Sequence, residues 1–163
     1  MLLTFSVATD FERDRAREVI CNWMETSSQR FDDLVDAVGG EPDNDRWFVR
    51  LKGEAKSFIS IWFDMDQRSL FFESQFMPGP IVEENQCYSY LLRKNSTLNI
   101  VHFSLGLENA IYLVGSEPVV GVTELKLDEI VGAIYAYSEE FFPTAMSIGY
   151  KGSYKYNKSK IVK

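Results

Sequence analysis

Few residues in this sequence have the means to do chemistry: one histidine, His102, and two cysteines, Cys21 and Cys87. An imidazole titrates near neutrality and is the usual general base, and a thiolate beside one is a common nucleophile. Their surroundings argue against both roles. His102 stands in Ile100-Val101-His102-Phe103-Ser104-Leu105, where alternation with Val101, Phe103 and Leu105 turns it away from the core side of a strand. Cys21 and Cys87 fall inside helical patterns, Cys87 on the apolar stripe, and read as reduced packing residues. A zinc site built from these three would need a fourth ligand and lacks the short paired spacings of such sites. Asp64-x-Asp66 resembles a carboxylate pair for a divalent metal, but it lies between two strand patterns, where aspartate bonds its own backbone in a hairpin turn. The sequence has no glycine-rich phosphate loop, no HExxH and no GxSxG. The expectation is a non-enzyme with no metal and no cofactor. The alternative is a small-molecule-binding protein or a hydrolase working through carboxylates that no motif marks.

The elements that would position these residues follow from hydrophobic period. Thr9-Asp10-Phe11-Glu12 has capping-box spacing, and Ala16, Val19, Ile20, Trp23 and Met24 recur on one face, which predicts a helix over Asp10–Glu25. Phe31, Leu34, Val35 and Val38 repeat that spacing before Gly39-Gly40, so a second short helix is expected, then a loop to Asp45. From Arg46 the period becomes 2. Three antiparallel strands follow, Arg46–Lys52, Ser57–Phe63 and Ser69–Met77, closed by Pro78-Gly79-Pro80. A helix over Val82–Asn95 has acids at its start and bases at its end, in the order that complements the macrodipole. Ile100–Leu105 and Ala110–Gly115 form a hairpin, and Thr123 caps a last helix that Pro143 kinks or stops, with Met146–Tyr150 adding a turn. The fold class is α+β, with about five antiparallel strands and helices packed on them.

Length and composition fit a single domain over residues 1–150. The chain has 163 residues, 45% of them hydrophobic and 25% charged, enough for one core without disulfides. Net charge is −7, unevenly spread: Lys151–Lys163 holds five lysines and no acid, which leaves 12 basic against 24 acidic residues and a body at −12. Such a body repels nucleic acid and anionic membrane, and no segment approaches the ~20 apolar residues of a membrane span. Met1–Thr9 lacks the charged start and cleavage site of a signal peptide, so the cytoplasm is the expected compartment. The lysine-rich tail is expected to be mobile.

The meander's second face stands out. If Trp47, Val49, Leu51, Ile59, Ile61 and Phe63 meet the helices, then Phe48, Phe58, Trp62 and one of Phe71 and Phe72 lie opposite, beside Arg50 and Lys52. A solvated sheet face should be polar. Those aromatics are therefore covered by the Phe31–Val38 helix, buried in a dimer, or exposed as a binding patch. The candidate interaction residues are Phe48, Arg50, Phe58, Trp62 and Phe71 on the sheet, with Glu84, Asn85 and Arg93 on the helix that follows.

Several strings resemble a known family: Glu84-Asn85, Tyr90-Leu91-Leu92-Arg93-Lys94-Asn95, Ile111-Tyr112-Leu113-Val114-Gly115 with Pro118, and Leu127-Asp128-Glu129-Ile130-Val131-Gly132-Ala133. Together with the order helix, three strands, helix, two strands, helix, they resemble the bacterial YbjN-like family, proposed sensory transduction regulators with a type III secretion chaperone-like fold. The likeness runs from about Arg46 to Tyr150 and leaves out Phe31–Val38 and the tail. It implies a non-catalytic, chaperone-like regulatory module, often dimeric, that offers a surface to a protein or peptide partner. It supplies no catalytic residues and no substrate.

Overall fold

The computed structural model describes residues 6–155. Its elements run α1 (Asp10–Arg30), β1 (Val35–Glu41), β2 (Arg46–Lys52), β3 (Phe58–Met65), β4 (Ser69–Met77), α2 (Glu84–Lys94), β5 (His102–Leu105), β6 (Ile111–Pro118) and α3 (Glu124–Gly149). The six strands form one open, wholly antiparallel sheet in the order β1-β2-β3-β4-β6-β5, with three helices against one face. This is the expected α+β class with one strand more than expected.

The extra strand replaces the expected Phe31–Val38 helix. β1 pairs with β2 as Val35↔Leu51, then Ala37↔Arg50 and Val38↔Val49, so the register slips by one residue at Asp36. That bulge puts two residues between the inward positions Val35 and Val38. Their spacing of three mimics a helix turn. Beyond it Gly40 takes a positive φ of 136°, and a Cβ there would lie 2.4 Å from the Arg46 carbonyl oxygen, so the strand end requires glycine.

Both long helices run further than their patterns suggest. The Thr9–Glu12 capping box starts α1 as expected, but the helix passes through Ser27-Ser28 to Arg30. The buried Ser27 hydroxyl donates to the Met24 carbonyl at 3.0 Å, which removes the reason for a break. α3 likewise continues through Pro143 to Gly149 without stopping. Of the lysine-rich segment Lys151–Lys163, only residues 151–155 are described: the backbone amides of Ser153 and Tyr154 donate to the Tyr150 carbonyl and the Tyr154 ring meets Phe142 edge-on. Residues 156–163 lie outside the described residues.

The core lies between the helices and the inner sheet face. Trp47, Val49, Leu51, Ile59, Ile61, Phe63, Leu70, Phe72, Phe76 and Leu113 point into it from the strands. Ile20 and Trp23 of α1 meet them, as do Leu127, Ile130, Ile134 and Phe141 of α3. Trp23 Nε1 donates to Asp128 at 2.8 Å, joining the two helices. α2 packs on α3 through Cys87 and Leu91. Among the described residues no helix is long and apolar enough to cross a membrane.

Candidate functional site

With helices on one face only, the opposite face of the sheet is open. Its rows follow from the register. One row crosses all six strands as Gly39, Phe48, Trp62, Glu73, Val114 and His102, and the next runs Glu41, Arg46, Asp64, Phe71 and Ser116. The segment 31–38 does not cover them: from Val35 it lies in the sheet as its edge strand, and Phe31 and Leu34 sit beside Trp23 and Val131 in the helix layer.

All five sheet residues expected in the interaction surface stand on this face. Phe48 and Trp62 are half-buried neighbours with ring centroids 5.0 Å apart, while Phe58 and Phe71 are 49% and 48% exposed. Two arginines hold the aromatics in place. The Arg46 guanidinium carbon lies 4.5 Å from the Trp62 ring centroid, and that of Arg50 lies 5.2 Å from Phe58. Each arginine is also tied to an acid, Arg46 to Asp64 at 3.5 Å and Arg50 to the bulge residue Asp36 at 2.7 Å. Phe48 in turn lies over Gly39, where an added Cβ would come within 2.8 Å of its ring. The strip is an ordered platform of alternating rings and guanidinium groups. Further along the face the Tyr112 hydroxyl donates to Glu108, which pushes the phenol up to about 12.

The turn that starts β2 has a polar clasp that no sequence motif marked. Asp45 has a left-handed φ of 55° and accepts three hydrogen bonds, from Arg13 Nη2 at 3.0 Å, Arg17 Nε at 2.7 Å and Arg17 Nη2 at 3.1 Å. It fastens α1 to the turn immediately before Arg46. The β2–β3 turn has a similar anchor. Glu139 of α3 accepts the backbone amides of Glu54, Ala55 and Lys56, at 3.0, 2.9 and 3.4 Å. Beside it Lys56 donates to the Gln75 carbonyl, and burial brings its ammonium down to about 8.

The other three expected residues, Glu84, Asn85 and Arg93, are exposed on α2, in the helix layer, and are not brought together with the sheet residues. Asn85 and Arg93 instead line an open groove of about 560 Å³ with Gln86, Ser89, Tyr90 and Lys94.

The residues first weighed for chemistry are dispersed. His102 is exposed on the open face, whereas Cys87 is buried in the core, its Sγ 3.7 Å from the Ala145 carbonyl oxygen, and burial raises its thiol pKa. Asp66 accepts the amides of Arg68 and Ser69 at 2.6 and 2.8 Å, and these bonds hold its carboxyl below the usual value. It is a turn residue, as expected; Asp64 stands in β3, paired with Arg46. Among the described residues no three of His, Cys, Asp and Glu gather as metal ligands.

Several proteins similar to this chain come from mycobacteria. An uncharacterized protein of Mycobacterium tuberculosis is 26% identical over 137 residues, covering 84% of this chain and 73% of its own length, and one of Mycobacterium bovis matches to the same extent. An uncharacterized protein of Mycobacterium leprae is 25% identical over 134 residues, covering 82% and 73%. The sequence profile of the family described as "Putative bacterial sensory transduction regulator" matches residues 16–146, a span that takes in every strand and nearly all of the helical layer, and the chain belongs to that family, YbjN.

Proposed function

We infer that this protein is a non-catalytic regulatory module of the bacterial cytoplasm that binds a polypeptide, in chaperone-like fashion, on its open sheet face. The observation that carries the reading is the set of aromatics on the helix-free face, Phe48, Phe58, Trp62 and Phe71, with Arg46 and Arg50 held over two of the rings. Aromatic residues and arginine are the types enriched where proteins meet, and rings already fixed by neighbours lose little freedom on binding. The family's description as a regulator agrees with it.

The rival reading, a small-molecule-binding protein or hydrolase, has the α2 groove in its favour. Its volume falls within the range of ligand sites, but its lining of amides, hydroxyls, Tyr90, Arg93 and Lys94 holds no carboxylate for hydrolytic work.

The test is a pair of surface variants, Trp62→Ala and Phe71→Lys, compared with the wild type for partner capture and for solution mass. A partner or self-association lost in both, with native circular dichroism retained, supports the open face. Capture and mass unchanged in both would sink it. Arg93→Ala, made in parallel, reports on the α2 groove alone.

A further inference from the structure

Two strands bound the sheet, β1 and β5, and each turns backbone N–H and C=O groups outward where another strand could pair with them. β1 has its own protection. It carries the bulge at Asp36, the flexible Gly39-Gly40 and the carboxylates of Asp36 and Glu41, which would meet like charges on a second copy. β5 has none of these devices, for His102-Phe103-Ser104-Leu105 contains no carboxylate, ammonium or guanidinium group.

Protection of β5 comes from α2. Asn95, the C-cap residue of that helix, accepts the Phe103 N–H through Oδ1 at 2.7 Å and donates from Nδ2 to the Phe103 carbonyl at 3.2 Å. In an antiparallel ladder a hydrogen-bonded pair exchanges these same two bonds. One side-chain carboxamide therefore stands where the peptide group of a seventh strand would stand. Next to it lies an almost wholly apolar groove of about 220 Å³ lined by Tyr88, Leu91, Leu92, Leu105 and Ile111. Leu92 and Leu105 are 64% and 52% exposed there.

We propose that Asn95 is an autoinhibitory clasp, and that its release lets β5 pair antiparallel with β5 of a second copy of this chain. A two-fold pairing centred on Phe103 gives each Phe103 back the two bonds lost from Asn95. Charge selects the occupant: a strand without carboxylate, lysine or arginine side chains meets its own copy without setting such groups against each other, and the same operation at β1 sets carboxylates against each other. In that register Leu105 of each copy stands across from Val101 of the other.

The experiment is light scattering over a concentration series on Asn95→Ala and Asn95→Asp against the wild type. Alanine removes both bonds, and aspartate keeps the size but cannot donate to the Phe103 carbonyl. The expected result is a mass that climbs with concentration to about twice the wild-type value and returns to it when Leu105→Lys is added to the edge. Association through the open face would be common to all the proteins and so does not mimic this difference. Wild-type mass at every concentration in both Asn95 variants, with native circular dichroism, overturns the proposal, as does association that Leu105→Lys leaves intact. Loss of the fold in both overturns it too, since Asn95 would then be a determinant of the fold and not a releasable clasp.

Discussion

Asp45 offers a graded test of how the helix layer holds the end of the sheet from which Arg46 reaches over Trp62. Its side chain is 12% exposed and takes three hydrogen bonds from Arg13 and Arg17, which are 25% and 35% exposed. Bonds to charged groups contribute about 1.5–3 kcal/mol each when buried, and exposed ion pairs about 0–1 kcal/mol, so this part-buried set is worth about 2–3 kcal/mol in all. The positive φ of 55° adds a second term. Aspartate, asparagine and glycine tolerate that conformation, whereas alanine pays about 1 kcal/mol or a little more. Asp45→Asn should therefore cost about 2 kcal/mol, Asp45→Gly slightly more, and Asp45→Ala about 3–4 kcal/mol. For a chain of this size the alanine variant melts roughly 6–16 °C lower. Urea titration at constant slope measures the series, and added salt should shrink the asparagine effect but not the difference between glycine and alanine. If Asp45→Asn matches the wild type, the arginines contribute nothing and the core alone holds α1. If Asp45→Ala matches Asp45→Gly, the backbone argument is wrong.

Two further outcomes follow from buried groups. The Lys56 amine titrates at about 8 in the folded protein against 10.5 for an unperturbed lysine, so between those values the unfolded chain binds more protons and stability rises with pH. The cost of burying the ammonium is complete below about pH 8 and is gone above 10.5; Lys56→Met should remove that rise from urea midpoints measured across this window, and an unaltered rise would assign it to another group. Cys87 is buried with a raised thiol pKa and Cys21 is half-buried on α1, so a disulfide reagent should label Cys21 in the native protein and Cys87 only after denaturant is added, with equal native rates counting against the packing described.

What could be read from the sequence was whatever is local. The Thr9–Glu12 capping box, the period-2 alternation of β2 to β4 and the outward set Phe48, Phe58, Trp62 and Phe71 depend on near neighbours, and the structure places them as expected. β1 was hidden because the bulge at Asp36 is decided by pairing with β2 and spaces Val35 and Val38 like a helix. The first helix is expected to end at Glu25 and the last to kink or stop at Pro143 because propensity does not include the packing of α1 and α3, which carries both helices further. The site residues missed have long-range partners. Asp45 meets Arg17 across 28 positions and Glu139 meets Glu54 across 85. Asn95 and Phe103 are only 8 apart, yet their pairing depends on where α2 docks beside an edge strand.

That the chain from Val35 is a strand and not part of a helix also decides how the aromatic face is to be understood. As a helix this segment could have covered Phe48 and Trp62 and made them core. As β1 it widens the sheet instead, sets Gly39 under the Phe48 ring, and brings Asp36 to hold Arg50 beside Phe58. A face that needed only solubility would carry free charges in those rows. Here Arg46 and Arg50 are each fixed twice, by an acid and by a ring. Such pairing adds little to folding at this exposure. Its physical consequence is a face already ordered, and a chain bound there as proposed would lose less entropy, which is how preorganised recognition surfaces gain affinity. The edge segment therefore contributes order to the open face without hiding it.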